Sequence, residues 1–490
     1  MKKLVYILIF GLFCNSAIAQ KTEILSLSES IGLAADSSLQ SFRAKNLYQA
    51  GYWEYHAYKA GRLPTLSLTM TPIQYTRDFT RRYDSENNID VYRRQQSLFS
   101  YGNLSLAQNI DVTGGTVFVD SELGYMRNFG ASTYTQFTSV PIRVGYSQAL
   151  FGFNSFKWEK KIEPLKYEEA KKQYLFDREE ISETVIEYFF NLALAQAEYD
   201  LAKDNVLSTD TLYNIGKQRQ QIASISQADL LTLRLDAINA QNTLKNAEVE
   251  LKKAKYSFVS YLNLDKETDV VLELPEVPRK LDISLEKALE YAKNNNPNYL
   301  ANQQQVLEAE REVDQTKKST LFDASLSASV GFNQIANNFA DAYYQPLRQD
   351  LVSISLTVPL VDWGVRKGKA NMARNNLGVA QITFQQEELS LDQEVRITLN
   401  DFEIQLDMIA SAQEASDLAN MAYEATKARF IIGKADINSL TLAQNRQKEA
   451  QSNYISTLRY YWQNYYKLRK LTLYDFEKQE PLTYQFDVMH

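Results

Sequence analysis

Few side chains in this sequence have the types and spacing that catalysis or metal binding requires. The 490 residues include one cysteine, Cys14, and two histidines, His56 and His490, and neither histidine lies at a metal-ligand spacing. No GxSxG, HExxH or GxxxxGK[ST] motif occurs, so the common hydrolase, zinc-protease and nucleotide-binding signatures are missing. His56 lies among aromatic residues and is expected to be a packing or surface histidine. The sequence therefore predicts a protein that is not an enzyme and that uses no metal or cofactor.

The first residues have the organisation of a secretory signal peptide. Two lysines precede an apolar run, Leu4 to Phe13, and Ala17-Ile18-Ala19 gives the small-residue cleavage pattern, which predicts a signal peptide over residues 1–19. A lipoprotein modified at Cys14 is the alternative. Cleavage after Ala19 would remove the single thiol, so the mature chain would contain no disulfide. The formal net charge is −7, and this acidic balance argues against a nucleic-acid partner.

Two long runs without proline are predicted to be helical. They cover residues 165–274 and 360–480 and are rich in Ala, Leu, Gln, Glu and Lys, which favour helix. Apolar residues from Leu230 to Phe258 recur at alternating spacings of three and four, which is typical of a coiled-coil seam. A helix from about Phe153 to about Gly216 would be roughly 95 Å long. Helices of that length must bury their apolar seams against neighbours.

Segments in which apolar and polar residues alternate precede both helical runs, and this pattern predicts strands with one apolar and one polar face. They are Leu66–Thr71, Leu104–Leu106, Val117–Val119, Ile142–Tyr146, Leu326–Val330 and Leu351–Val358. In a membrane β-barrel the apolar face would meet lipid, and a soluble β-sandwich is the alternative. Residues 111–115 are predicted to form a tight turn. Three polar segments are predicted to be external loops: Arg77–Leu98, with Arg81, Arg82, Arg93 and Arg94, and then Asn128–Val140 and Asn333–Asp350.

The two halves of the sequence align with each other, which indicates an internal duplication. After the strands the offset is 210 residues, as for Tyr213 and Tyr423, and before the strands it is 258, as for Leu27 and Leu285. The first half therefore carries 48 extra residues in its strand region, which contain two of the predicted strands. Two strands per repeat cannot close a barrel, so we expect several copies to assemble around an axis.

Two short motifs, together with the duplication and the long helices, make the chain resemble the TolC family of outer-membrane factors over essentially the whole mature length. One is the strand-to-helix junction Val358-Pro359-Leu360-Val361-Asp362-Trp363-Gly364, which is echoed at residues 149–154. The other is the helix-turn-helix segment Ala428–Gly433 followed by Ile437-Asn438-Ser439-Leu440, echoed at residues 219–231. A secreted coiled coil would explain the helices but leaves the strands unexplained.

The resemblance implies an α+β membrane protein, a trimeric transmembrane antiparallel β-barrel continued by a long periplasmic α-helical barrel, built from two internal structural repeats. The family pattern is twelve barrel strands per trimer; the extra hairpin would raise this to eighteen or lie outside a twelve-stranded wall. The implied segments are the signal peptide (1–19), first-repeat N-terminal helices (20–62), strands with the extra hairpin (63–151), first long helices (152–262), an equatorial connection (263–284), the second-repeat helix (285–320), its strands (321–361), second long helices (362–472) and the C-terminal tail (473–490).

By the same resemblance, the protein would be the outer-membrane channel of a tripartite efflux or secretion system, which conducts substrates passively. Its partners would be two further copies of itself, a periplasmic adaptor, an inner-membrane transporter and outer-membrane lipid. A duct dedicated to type I protein secretion, or a non-conducting tether or adhesin, is the alternative. The sequence specifies neither the cargo nor the class of pump.

The family closes its channel at the periplasmic tip, where the helix pairs turn. The tip and gate candidates are Arg219, Asp229, Arg429, Gly433, Asp436, Ser439 and Leu442, and the strand-to-helix junction contributes Pro359, Asp362, Trp363 and Gly364. Some members carry aspartates at the positions of Ser439 and Leu442, so this chain departs from the family's acidic constriction there. Asp229 is either a gate carboxylate or a helix-start carboxylate near a positive dipole end. Arg219 and Arg429 are expected to form ion pairs at the tip.

Overall fold

The computed structural model describes residues 22–129, 133–222, 225–266, 268–320 and 322–482. The predicted signal peptide and residues 483–490 of the predicted tail lie outside the described residues. The chain divides into two compact units. The helical unit contains the described residues up to Tyr48, Lys171–Pro297 and those from Glu388 onward; the sheet unit contains Gln49–Ala170 and Asn298–Glu387.

Long helices and an antiparallel sheet account for most of the described residues. In chain order the elements are β1 (Thr22–Leu25), α1 (Leu27–Ser37), α2 (Leu39–Ala60), β2 (Thr65–Asp84), β3 (Ile89–Ile110), β4 (Gly115–Asn128), β5 (Tyr134–Leu150), α3 (Ser155–Gln221), α4 (Gln227–Tyr261), β6 (Asp269–Leu272), α5 (Leu285–Asn295), α6 (Pro297–Ser319), β7 (Asp323–Ala336), β8 (Leu347–Thr357), α7 (Val365–Ile431), α8 (Ile437–Thr472), β9 (Tyr474–Asp475) and β10 (Glu480–Pro481).

The predicted long helices are confirmed. α3 and α7 each contain 67 residues, which corresponds to about 100 Å of helix. They begin 210 residues apart and end 210 residues apart, the same offset that relates the two halves of the sequence. The partner helices α4 and α8 have 35 and 36 residues. No helix in the described segments combines the length and the apolar character that crossing a bilayer requires.

All six predicted strands are confirmed, and they form one antiparallel sheet in the order β2-β3-β4-β5-β7-β8. The pairing register separates the two faces cleanly. One row of paired residues across the sheet reads Leu66, Leu106, Val119, Val144, Val330 and Asp350. The adjacent row, on the other side, reads Ser67, Ser105, Asp120, Arg143, Gly331 and Gln349. We call these sides the apolar face and the polar face. Leucine and valine side chains of the apolar face are exposed in the chain, so this face needs an apolar surrounding.

The extra residues of the first half lie within this sheet. Residues Ser97–Ile110 of β3 pair with β4. The predicted turn after β3 is present, with Gly114 at φ +74°. A positive φ is a conformation that glycine adopts without strain, which fits the turn.

Two of the three segments predicted to be external loops, Arg77–Leu98 and Asn128–Val140, are mostly strand, and the third, Asn333–Asp350, is strand only at its two ends, so the loop prediction is wrong for the strand residues. The segment Arg77–Leu98 is a hairpin in which β2 runs to Asp84 and β3 starts at Ile89. Similarly, β5 begins at Tyr134, β7 ends at Ala336 and β8 begins at Leu347. Backbone hydrogen bonding in a hairpin does not depend on side-chain polarity, and aromatic residues alternate with the charged ones here. The high charge alone was therefore a poor indicator of a loop.

The helix predicted for residues 285–320 is two helices, because α5 ends before Pro297 begins α6. Proline disfavours helical geometry in the residue before it, and Asn296 is extended, with ψ 123°. The connection predicted at 263–284 contains β6, which pairs in parallel with β1. Phe189, Phe258, Phe402 and Tyr461 are among the largest fully buried side chains of the helical unit.

Candidate functional site

The helical unit brings its two helix-pair turns together. α3 and α4 are joined at residues 222–226, and α7 and α8 at residues 432–436. Five buried side chains, contributed by all four helices, form one cluster beneath the turns: Leu212, Leu233, Tyr423, Phe430 and Leu440. We call this the tip cluster. Because the apolar residues at the ends of both helix pairs share one core, movement of one turn must disturb the other.

Gly433 ends α7 in the left-handed conformation, with φ +77°. Its amide donates to the Phe430 carbonyl at 3.0 Å, and the Lys434 amide donates to the Arg429 carbonyl at 2.8 Å. This is the usual way in which a glycine closes a helix C-terminus and satisfies its last carbonyls. A side chain at this position would be strained, which explains why the sequence has glycine at the turn.

Arg219 links the two turns. Its guanidinium Nη2 donates a hydrogen bond of 2.5 Å to the backbone carbonyl of Ile431, the last residue of α7. The same guanidinium lies over the Phe430 ring, 5.8 Å from its centroid. A cation is favoured at a helix C-terminus, where unpaired carbonyls carry partial negative charge. Arg219 thus holds the end of α3 against the end of α7.

Both acidic candidates cap helices. Asp229 accepts hydrogen bonds from the Ser226 amide at 3.1 Å and from its hydroxyl at 2.7 Å, which completes a capping box at the start of α4. Asp436 precedes α8 and accepts the Ser439 amide at 2.7 Å. That hydrogen bond lowers the pKa of the Asp436 carboxyl below its ordinary value. A cavity of about 290 Å³ lies between the turns, and Arg219, Asp229 and Asp436 supply its charged lining.

The remaining tip candidates are exposed. Arg429 forms no ion pair or side-chain hydrogen bond with any residue that the structure describes, and Leu442 is 51% exposed. Ser439 contributes its amide to the cap of α8. Within the described part of one chain, neither Arg219 nor Arg429 pairs with a carboxylate. The predicted ion pairs at the tip stay a prediction.

If the chain forms the channel that its resemblance implies, replacing Asp229 by alanine is expected to raise the conductance of the closed channel in planar bilayers, because it removes a carboxylate from the tip. Ser226→Ala is the matched control, since it removes the hydroxyl partner of the cap and leaves the carboxylate in place. A rise in Asp229→Ala alone would assign Asp229 to the gate. Equal rises in both variants would assign the effect to the helix cap, and unchanged conductance would exclude Asp229 from the gate.

The strand-to-helix junction lies in the sheet unit, between β8 and α7. Asp362 accepts the Gly364 amide at 3.0 Å and the Arg366 amide at 3.1 Å, so it caps the start of α7. These two bonds lower the pKa of the Asp362 carboxyl. Trp363 and Gly364 have positive φ, and the Trp363 side chain is 95% exposed. Pro359 stands in the irregular segment that follows β8. The motif thus turns the chain from sheet to helix.

One group of charged residues in the helical unit was not predicted from the sequence. Arg469 of α8 lies 3.1 Å from the Glu179 carboxylate of α3 and 3.2 Å from the Asp475 carboxylate of β9. Both carboxylates are buried, and Lys470 binds Glu183 at 2.5 Å one turn away on α3. We call Glu179, Arg469 and Asp475 the buried ionic triad. Nothing in the sequence indicated it, because its members are up to 296 residues apart.

Opposing effects set the pKa values in the triad. Burial raises the pKa of the Glu179 carboxyl, although the Arg469 guanidinium acts in the opposite direction. Burial also acts to raise the pKa of Asp475, but the Lys478 amide and Arg469 outweigh it, and the pKa lies below its ordinary value. Tyr465 donates its hydroxyl to Asp475 at 3.0 Å. The tail residues 474–475 are thereby fixed to α8, and Tyr474 stacks on Tyr291 of α5 with ring centroids 4.3 Å apart.

A second charged group lies on the polar face of the sheet. Arg143 of β5 lies 2.9 Å from the Asp120 carboxylate of β4 and also pairs with Glu122, and Ser105 of β3 donates its hydroxyl to Asp120 at 2.5 Å. This group carries a net negative charge. The described residues contain no set of three or more His, Cys, Asp and Glu side chains placed to hold a metal ion. This side of the sheet therefore presents a polar, weakly acidic surface.

Comparison with known proteins gives one family match and several structural matches. Residues 288–472 match the family model for outer membrane efflux proteins. No curated protein sequence matches the chain. Among solved structures, the CmeC outer membrane channel of Campylobacter jejuni is 14% identical, with a TM-score of 0.66 over 94% of this chain and 88% of that one.

Two further solved structures share the fold. The outer membrane protein VceC of Vibrio cholerae is 12% identical, with a TM-score of 0.64 over 93% of this chain and 97% of that one. The open state of the MtrE outer membrane channel of Neisseria gonorrhoeae is 15% identical, with a TM-score of 0.60 over 94% of this chain and 91% of that one. The family model thus covers part of the second half of the chain, and the solved structures share the fold over nine-tenths of it.

Proposed function

We propose that this chain is the outer-membrane channel of a tripartite efflux system and that it conducts substrates passively out of the cell. The observation that carries the proposal is the combination, in one chain, of a six-stranded antiparallel sheet with an exposed apolar face and two helices of 67 residues. The apolar face suits contact with lipid, and the polar face suits a water-filled lumen. The solved structures with this fold are described as outer membrane channels.

A homotrimer completes both parts of this fold. The end strands of the sheet, β2 and β8, have no second neighbour within the described chain. Pairing β8 of one copy with β2 of the next would remove these free edges, and three copies would close a barrel of eighteen strands. On α7, Ile382, Leu389, Ile397 and Ile404 are exposed at spacings of seven and eight, so they form an apolar stripe along one side. A neighbouring helix of another copy would cover this stripe.

The proposal extends to the two structural repeats and to the segments assigned from the sequence, from the signal peptide at 1–19 to the tail at 473–490. The barrel would lie in the outer membrane and the helices in the periplasm, where a periplasmic adaptor would join the channel to an inner-membrane transporter. The chain contains no nucleotide-binding motif, so the transporter would supply the energy. The protein would act as a duct and not as an enzyme.

The purified protein should insert into planar bilayers and show discrete conductance steps, and its particle mass should correspond to three chains plus bound detergent. Conductance is the decisive measurement because a trimeric tether or adhesin of the same fold would insert without conducting. A monomeric, water-soluble particle with no membrane association would contradict the proposal as a whole. Co-purification of an adaptor and a transporter after mild crosslinking would separate drug efflux from type I secretion by the class of the transporter.

A further inference from the structure

The β2–β3 hairpin is longer than the rest of the sheet. Pairing between β3 and β4 stops at Ser97 and Asn128, but β2 and β3 continue to pair for eight more residues, from Arg77–Gln96 to Asp84–Ile89. At about 3.4 Å per residue, this extension is about 25 Å long. It lies at the end of the sheet opposite to the connections with α2 and α3, because β2 starts and β5 ends at that other edge.

The side of the extension that continues the apolar face carries arginines and aromatic residues. Register places Tyr75, Arg77, Phe79, Arg81 and Tyr83 of β2 on this side, opposite Leu98, Gln96, Arg94, Tyr92 and Asp90 of β3. Arg127 of β4 lies in the same row as Leu98 and Tyr75. We call Arg77, Arg81, Arg94 and Arg127 the basic belt. All four are exposed, as are Phe79, Tyr83 and Tyr92.

The charge of the basic belt is poorly compensated on its own side. Arg81 pairs with Asp90, and Arg127 lies over the Phe129 ring at 5.1 Å. Arg77 and Arg94 form no ion pair with the residues that the structure describes. Four arginines and one carboxylate therefore share this side, in a protein whose net charge is −7. Such a local excess of positive charge favours an anionic partner.

The position of the belt matches the edge of a membrane. From Leu66 to Tyr75 the apolar side of β2 covers about 30 Å along the strand, or about 23 Å along the normal for a strand tilted by about 40°. That is close to the apolar band of about 25 Å in membrane barrels. Tyr75 and Tyr125 would then lie at the rim, and the basic belt would start directly above it, at the depth of lipid head groups.

We propose that the basic belt binds the phosphate groups of anionic lipids in the outer leaflet and fixes the long hairpin against the membrane surface. This inference rests on the proposed function, because it requires the apolar face to be in lipid. Guanidinium groups bind phosphate oxygens through paired hydrogen bonds, and aromatic rings are favoured at the membrane interface. The alternation of arginine and aromatic side chains along the hairpin combines both interactions on one side.

The test measures lipid binding to purified protein that has been stripped of lipid in neutral detergent and titrated with fluorescent phosphatidylglycerol or phosphatidylcholine. The wild-type chain should bind phosphatidylglycerol more tightly than phosphatidylcholine. The double variant Arg77→Gln/Arg94→Gln should lose about tenfold or more of its affinity for phosphatidylglycerol, since each arginine near an anionic surface strengthens binding. Arg77→Lys/Arg94→Lys should keep most of it. Lys245→Gln/Arg446→Gln, which removes two exposed cations of the helical unit, should bind like the wild type.

Three results would overturn the inference: no preference of the wild type for the anionic lipid, an unchanged preference in the glutamine variant, or displacement of the lipid by inorganic phosphate at the same concentration. The last result would mean that a free anion, and not the lipid surface, occupies the belt. Bilayer conductance of the glutamine variant separates this inference from the proposed function. If the glutamine variant conducts like the wild type, the channel is intact and the lipid-binding result tests the belt alone. If the wild-type protein does not conduct, the proposed channel function is contradicted.

Discussion

Arg469→Ala is expected to lower the free energy of unfolding of the helical unit by about 3–5 kcal/mol, the range found when one partner of a buried ion pair is removed. The side chains of Glu179 and Asp475 are 9% and 5% exposed, so water cannot replace the lost guanidinium easily. Two carboxylates would remain buried near each other without the guanidinium that pairs with both. The midpoint of urea-induced loss of helical circular dichroism, measured on the purified protein, reports the change.

Two other variants define the cause of that loss. Glu179→Gln should cost less than Arg469→Ala, because it removes one buried charge and leaves Arg469 paired with Asp475. Lys448→Ala is the matched control: its ammonium lies 3.7 Å from the Glu198 carboxylate, but both side chains are at least 36% exposed. Such pairs contribute about 0–1 kcal/mol. If Arg469→Ala were no worse than Lys448→Ala, the triad would have to be solvated, and its role in fixing the tail would be wrong.

The periodic features of the sequence predicted the fold well. Alternation of apolar and polar residues in segments such as Leu66–Thr71 predicted the strands and their two faces, because only one side of the sheet can meet an apolar surrounding. The spacing of apolar residues and the scarcity of proline gave α3 and α7 almost to their ends. Patterns of this kind depend only on residues that are close together in the chain, so a single sequence is enough to recognise them.

The features that failed depend on partners distant in the chain. The segment Arg77–Leu98 was predicted to be a solvated loop because it contains many charged residues. Its two halves instead pair with each other as strands, and this pairing cannot be inferred from the charge of the individual residues. The buried ionic triad joins α3 to residues near the C-terminus, and no local pattern marks Glu179 as different from other glutamates of that helix. At the tip, the sequence indicated the turn at Gly433, but only the structure shows that Arg219 binds a backbone carbonyl.

In the proposed channel, Arg219→Ala is expected to shift the equilibrium strongly toward open states, because it removes the hydrogen bond that joins the end of α3 to the end of α7. An exposed bond of this type contributes about 1 kcal/mol, so three copies in a trimer would contribute about 3 kcal/mol, or on the order of a hundredfold in the ratio of open to closed channels. Single-channel recording in planar bilayers measures this ratio directly.

Arg234→Ala is the matched control for that experiment. Arg234 also carries one positive charge and donates to the Tyr213 hydroxyl at 2.9 Å, but this bond joins α4 to α3 within a single helix pair. Its removal should leave the open fraction within a few-fold of the wild type, because the link between the two turns persists. Equal opening in both variants would show that general loosening of the tip, rather than the Arg219–Ile431 bond, controls closure. A strong effect of Arg429→Ala, whose side chain has no ion-pair partner in the described chain, would instead locate the closing contacts between neighbouring chains.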